Sequence, residues 1–426
     1  MRSVLALSAL VSFAGCTCNR TSSGVAGGEG GAASASAAVS RAQGPAIFSA
    51  PIAASHGAAG VVYFAGLVAA RNVFELTKIQ PDGSTAWSVD AVSDVHWSSD
   101  SDVRVFASPG GGAFVLGRGT RGGKLVREIV SVDASGKLRA PAEPMKSDAC
   151  ATADGIATLR ESGEHATIVL RDFAGSPPRD LFSLHAAGDH ELVCGDHAVF
   201  GVTHDDALTL ERSGAAPVVL ANDHDDAEDV EEVAAGDDFA AVSMHDDALS
   251  LRSVIGDKAD AWKKIGKLPA GADIAVLDAD ARDLYVIYTE ETHEGSCVGG
   301  GSPSKLSAMH VPRAGGDAHL HAFSTLTCDS DDGPFFTGFL RKNGTSRFVV
   351  AWPERRAPGS GEAPISALAY VTLDADKVSD VERLTLNADA ITEAGCDDDA
   401  CYAAALMRVE GTDGMVPGPA KILRYP

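Results

Sequence analysis

Positive charge is what this chain has too little of: 35 Lys and Arg stand against 59 Asp and Glu, a formal net charge of −24. A surface of that sign repels phosphate, so nucleic acid and anionic lipid headgroups are poor partners, and its general effect is to keep the protein soluble. Long apolar runs are missing as well. Beyond the first residues no segment approaches the ~20 apolar residues that a membrane-crossing helix needs. Common enzyme signatures are absent: there is no HExxH, no GxSxG, no Walker loop and no GxGxxG opening a helix. Zinc-protease, hydrolase-elbow, P-loop and dinucleotide chemistry therefore lack their residues. Cysteines at CxxC-type spacing are lacking too, which removes the usual structural zinc site.

What the chain does contain is an internal repeat. Gly195-Asp196 is followed by an apolar run and then by His204-Asp205-Asp206-Ala207-Leu208-Thr209-Leu210. Roughly 41 residues later, Gly236-Asp237 is followed by another run and by His245-Asp246-Asp247-Ala248-Leu249-Ser250-Leu251. Each copy reads as strand, Gly-Asp turn, apolar strand, His-Asp-Asp turn, alternating strand, and a short fourth strand such as Pro217 to Leu220. That is one four-stranded antiparallel sheet, and one such sheet cannot bury both its faces.

Further apolar runs recur at Val61 to Leu67, Ala113 to Leu116, Ile156 to Leu159, Ala198 to Val202, Phe239 to Val242, Leu284 to Tyr288, Phe348 to Trp352 and Tyr402 to Met407. Several are continuously apolar, as expected of strands covered on both faces; a two-sheet sandwich would leave one wet face and a clear alternation. The expectation is an all-β protein, a β-propeller of four-stranded antiparallel blades, about eight in number. Seven is the alternative, because the unit boundaries near Pro45 and Ala388 are ambiguous. The last unit ends after its third strand, Ala420 to Tyr425, and a strand at Ala37 to Ala42 is expected to complete it and close the ring.

The first residues read as an address. Met1-Arg2 is a short positive segment, Val4 to Phe13 an apolar core, and Phe13-Ala14-Gly15-Cys16 a small-residue cleavage site ending in cysteine. This resembles a bacterial lipoprotein signal, with Phe13 where that family usually has Leu. The resemblance implies removal of residues 1–15 and lipidation of Cys16. With Thr17 in place of the inner-membrane retention Asp, it also implies an outer-membrane location in the cell envelope. Membrane contact is then expected through the lipid anchor only. Residues 16–44 are mostly Gly, Ala and Ser and read as a flexible tether, leaving 45–426 as the propeller domain.

Phe74 to Trp87, with its Pro81-Asp82-Gly83 turn, is similar to the strand, Asp-x-Gly turn and Trp-bearing strand of quinoprotein-like propeller repeats. Val132 to Gly136 is a fainter echo. Later units lack the tryptophans that dock blades in quinoprotein dehydrogenases, so their cofactor is not implied.

Six cysteines fall in the propeller domain, in a compartment that permits disulfides. Cys150 and Cys194 occupy the first strands of consecutive units. Cys297 and Cys328 lie in two connections of one unit that emerge on the same face and are expected to pair. Cys396 and Cys401 flank a hairpin turn at Asp397-Asp398-Asp399 and are expected to pair.

Three His-Asp-Asp triplets are the main candidate site: His204, Asp205 and Asp206; His224, Asp225 and Asp226; His245, Asp246 and Asp247. All three are expected on one propeller face, where carboxylates suit Ca²⁺ or Mn²⁺ and imidazoles suit Zn²⁺. A divalent cation, or a cationic patch on a partner protein, would relieve their repulsion; no organic cofactor is implied. The simpler reading is that Asp suits turns and that a duplication copied the triplet. His319 and His321 alternate on one strand face and read as ordinary surface residues. Rigid rings with loops on one face suit a non-enzymatic binding or scaffolding role. The alternatives are a lyase or dehydrogenase with a site on the axis, and an outer-membrane assembly factor.

Overall fold

Each of the eight apolar runs becomes a second strand: Val62–Val68, Ala113–Arg121, Gly155–Ser162, Val199–His204, Asp238–His245, Asp283–Glu291, Thr345–Arg355 and Cys401–Gly411. The computed structural model describes residues 48–96, 101–145, 149–162, 165–185, 188–205, 207–221, 230–245, 247–256, 258–292, 303–313, 317–327, 335–342, 345–356, 363–374, 377–411 and 414–426. Around those second strands the chain forms consecutive antiparallel sheets whose strands pair in sequence order. Blades 1 to 6 begin at Ser49, Asp102, Ala149, Asp189, Val230 and Ala272. No helix among the described residues is long and apolar enough to cross a membrane.

The final sheet shows why the boundary near Ala388 is ambiguous in the sequence. Its strand Glu382–Cys396 is one continuous stretch that belongs to two blades. Residues up to Ala388 pair with Ile365–Asp374 as the outer strand of blade 7, and residues from Ala388 onward pair with Cys401–Gly411 as the inner strand of blade 8. There is no turn to read. Divided at Ala388, the chain forms eight modules, which fits the expected number. Blade 8 has three strands among the described residues, ending with Gly414–Tyr425; the strand expected at Ala37 to Ala42 lies outside them.

The hydrophobic core is distributed over the junctions between blades. One cluster joins blade 1 to blade 2, through Phe74, Leu76 and Val92 against Val103, Val105 and Val115. Equivalent clusters join each later blade to the next. At the blade 4–5 junction Phe200 and Phe239, both fully buried, meet at 5.4 Å between centroids, each ring contributing about 2–3 kcal/mol through burial. The last junction returns to the start: Phe48, Phe64 and Val73 of the N-terminal blade pack on Ala404 and Leu406, and Val62 packs with Ala394 and Tyr402. The ring is therefore closed by packing between its first and last blades. This circular series of junctions makes the fold a β-propeller.

First strands of successive blades lie side by side at six of the junctions, the last one included, which places these strands on the axis. Short fourth strands such as Val218–Ala221 form the outer rim. Cys150 and Cys194 form a disulfide that ties the inner strands of blades 3 and 4. Cys396 and Cys401 form the second, across a hairpin of blade 8, as expected. Cys297 and Cys328 lie outside the described residues, as does Cys16.

Candidate functional site on the propeller axis

The repeated Gly-Asp turns connect first to second strands and stitch one blade to the next. The Ala153 N–H donates to the Asp196 carbonyl at 2.6 Å, and the Asp196 N–H donates to the Gly236 carbonyl at 3.1 Å. The Asp237 carboxylate accepts from the His197 and Ala198 N–H groups at 2.6 and 3.1 Å. A Cβ on Gly195 would run into the Gly236 carbonyl oxygen, so this turn requires glycine for close approach. The repeat thus has a structural cause. Further along the ring, the Ser346 hydroxyl of blade 7 donates to Asp280 of blade 6 at 3.1 Å. At the closing junction His56 stacks on Tyr402 at 4.5 Å and lies 3.4 Å from Asp397. Burial lowers the His56 pKa, although Asp397 opposes this.

The described residues of the first and third His-Asp-Asp triplets, His204 and Asp205 and His245 and Asp247, lie where second strands pass to third strands in adjacent blades 4 and 5, as expected. Asp247 takes the left-handed conformation, φ 63°, and its carboxylate lies 3.6 Å from Lys267. Asp205 donates its N–H to the Ala207 carbonyl at 3.3 Å. These are turn roles. The ring of His204 points instead toward Glu191 on the inner strand of its own blade, 3.5 Å away, and His245 is exposed. Asp206, His224, Asp225, Asp226 and Asp246 lie outside the described residues. Among the described residues, no three His, Cys, Asp or Glu side chains stand close enough together to hold a metal ion. His321, read from the sequence as a surface residue, is buried, while His319 stacks over His310 at 6.0 Å.

The inner strands carry carboxylates that the sequence did not single out. Glu191 of blade 4 and Glu231 of blade 5 lie on consecutive inner strands, near enough for the Glu191 charge to act on Glu231. The Glu231 carboxyl is pushed up, by burial first and by the Glu191 charge second, even though its side chain still meets solvent. A concave axis has this property: water reaches the group, but the ring crowds it from the sides. His190, next to Glu191, donates to or accepts from the Thr203 hydroxyl at 3.2 Å and is lowered by burial against the pull of Glu161, Glu211 and Asp189.

On the other side of the ring, Asp278 of blade 6 is pushed up to about 7, chiefly by burial and also by Asp280. Hydrogen bonds from Thr337 and from the Ala279 N–H, the latter at 2.8 Å, and the charge of Arg341 oppose this. Glu393 of blade 8 is raised well above the usual carboxylate range by burial and by Asp278. Glu231, Asp278 and Glu393 thus hold protons more tightly than free carboxylates do, a state that a bound cation relieves.

Away from the axis, a cavity of about 350 Å³ opens between the rims of blades 2 and 3, beside Met145, Thr158 and Pro178. Its two guanidiniums are already engaged, Arg171 with Glu143 at 2.5 Å and Arg160 with Asp180 at 2.6 Å. Its guanidiniums are thus spoken for, and Glu161 is the one carboxylate in its lining, whereas the axis gathers carboxylates from several blades.

No protein-family model matches the chain, and no curated protein matches it. Solved structures do. A dihydro-heme d1 dehydrogenase in complex with DHE is similar over 80% of this chain and 67% of its own, with a TM-score of 0.43 and 13% identity. The β-propeller domain of the trilobed protease from Pyrococcus furiosus is similar over 77% of this chain and 94% of its own, with a TM-score of 0.44 and 9% identity. A prolyl endopeptidase is similar over 88% of this chain and 53% of its own, with a TM-score of 0.47 and 14% identity. These likenesses are distant, and the activities in those names belong to those proteins.

Proposed function

We propose that the protein is a bacterial envelope lipoprotein, tethered to the outer membrane through Cys16, whose propeller binds a cationic ligand or partner at the axis without chemical conversion. The observation that supports binding is the pairing of Glu191 with Glu231 on consecutive inner strands, which leaves like charges together where a cation would compensate them. The ring supports the reading because its junctions are packed at every step, so the axial groups are held in place before a ligand arrives. The tether follows from the sequence resemblance at residues 1–16.

Thermal melts with Ca²⁺, Mn²⁺ and Zn²⁺, and with a lysine-rich peptide, test the binding. At least one of these should raise the melting temperature of the native chain, and Glu191→Gln with Glu231→Gln should remove the shift. Melts indifferent to every cation would refute it. One observation favours an axial enzyme instead: a carboxyl held near neutral pH, as Asp278 is, suits general acid–base work. On that reading Asp278→Asn abolishes turnover of a substrate; on ours it leaves cation binding at blades 4 and 5 intact.

A further inference from the structure

The outer rim of blade 5 inverts the charge of the rest of the molecule. Its outermost segments, Lys258–Ala259 and Lys263–Lys267, carry Lys258, Lys263, Lys264 and Lys267, all exposed, with Asp260 the one acidic residue described between them. Arg252 on the adjoining strand extends the strip toward blade 4, where its guanidinium donates to the Val219 carbonyl at 2.6 Å and lies 6.0 Å over the ring of Trp262. Trp262 is 36% exposed, and Val219 and Ile255 beside the same strip are 45% and 55% exposed. Three of the five large apolar side chains exposed among the described residues therefore fall on this basic strip.

Lysine on an edge strand often serves only to block edge-to-edge aggregation. That purpose would apply to every blade, yet the outer strands of blades 1 to 4 and 6 carry a single Lys or Arg among them, Arg179, and the outermost described strands of blades 7 and 8 carry two each, Lys377 with Arg383 and Lys421 with Arg424, against four in blade 5. Nor does edge protection call for Trp, Ile and Val to be exposed among the lysines. Ammonium groups alternating with an indole and aliphatic side chains are the composition that enters a membrane interface, with the apolar groups at the acyl boundary and the charges on phosphate.

From this combination we infer that the rim of blade 5 rests on the anionic headgroups of a phospholipid membrane, with the propeller standing edge-on. The inference builds on the proposed tether and adds a second contact to it. The net charge of −24 does not forbid this. At physiological ionic strength charges are screened over about 8 Å, so the membrane senses the strip laid against it and not the acidic remainder of a ring on the order of 40 Å across. Lys258 pairs with Ile255 and Lys267 with Ala248 on the neighbouring strand, so the strip runs about 24 Å, enough to set an orientation. Edge-on contact leaves both mouths of the axis open to solvent, so Glu191 and Glu231 stay accessible to a ligand while the protein is membrane-bound. Contact through either face would cover one mouth.

Vesicle co-sedimentation of the full chain carrying Cys16→Ala tests the rim independently of any lipid on Cys16. This protein should bind phosphatidylglycerol vesicles at low salt, ignore phosphatidylcholine vesicles, and be released at about 1 M salt, where the screening length is roughly 3 Å. Lys263→Glu with Lys264→Glu should weaken binding by at least about tenfold, each charge near such a surface being worth several-fold in affinity. Lys124→Glu, an exposed change on blade 2, should leave binding unaltered. Absence of binding to phosphatidylglycerol, or equal binding by the Lys263/Lys264 variant, overturns the rim contact. So does light scattering that shows the native chain self-associating through the same lysines, since the strip would then serve a second copy. Fractionation of the native chain with Cys16 intact reports on the tether alone, so the two readings fail separately.

Discussion

Asp278→Asn is the sharpest perturbation of the axial electrostatics, because it removes one ionisable group and keeps the shape and the hydrogen-bonding oxygen that Ala279 and Thr337 address. The sign follows from linkage. A carboxyl with a usual value of 3.8 that rises to about 7 in the fold binds its proton more tightly when native, so its contribution to stability is present at low pH. That contribution is lost as pH rises from about 4 through about 7. At 1.36 kcal/mol per unit the full loss by pH 8 has a ceiling of about 4 kcal/mol, of which roughly 1.6 has already gone at pH 5. Part of the side chain meets solvent, which reduces the remainder. The Asn variant should therefore gain about 1–2 kcal/mol more over the native chain at pH 8 than at pH 5. Urea unfolding of both proteins at intervals across that range measures this, and stability curves that run parallel would refute the reasoning. Glu393→Gln serves as the companion, since the Asp278 charge is one of the causes that raise Glu393.

Gly195→Ala should destabilise by about 1–3 kcal/mol in chemical denaturation, because the new methyl meets the Gly236 carbonyl where blades 4 and 5 interlock. Replacing Cys150 and Cys194 by Ala should cost about 4 kcal/mol, against about 2 for Cys396 and Cys401, since the first bridge spans a sequence separation of 44 and the second of 5. Equal losses in denaturant titrations would contradict that order. Non-reducing peptide mapping should find Cys297 joined to Cys328, and free thiols there would contradict the pairing. Cys16→Ala should move the protein from the membrane fraction to the soluble fraction of cells, and unchanged membrane association would sink the proposed lipidation.

The architecture was legible because its cause is local. A strand buried on both faces needs an unbroken apolar run, and such runs as Leu284 to Tyr288 and Phe348 to Trp352 mark second strands wherever they occur. The Gly-Asp repeat gave the unit length, and its structural cause, the lock of Gly195 against Gly236, makes the repeat a sign of ring assembly and not of catalysis. The boundary at Ala388 resisted reading because one strand serves two blades with no turn between them. The axial site was largely illegible: Glu191, Glu231, Asp278 and Glu393 come from four blades, and only closure of the ring brings them to a common axis. The His-Asp-Asp triplets drew attention through repetition, yet in blades 4 and 5 their described aspartates make turns, and His204 matters through Glu191, which no spacing connects to it. The rim of blade 5 was hidden by the opposite cause, since a net charge averages away a local strip of lysines.

The most direct test of the account is isothermal titration of the native chain with the cation that shifts its melting temperature, at a series of pH values from the usual carboxylate range up to neutrality, repeated in two buffers of different ionisation enthalpy. If the cation binds between the inner strands that carry Glu191 and Glu231, it displaces protons held by a carboxyl whose affinity for them is raised. The account predicts saturable binding, net proton release that grows as the pH falls toward the usual carboxylate range, and loss of both in the Glu191→Gln, Glu231→Gln variant. Binding that persists unchanged in that variant, or that releases no protons at any pH in the series, would contradict it.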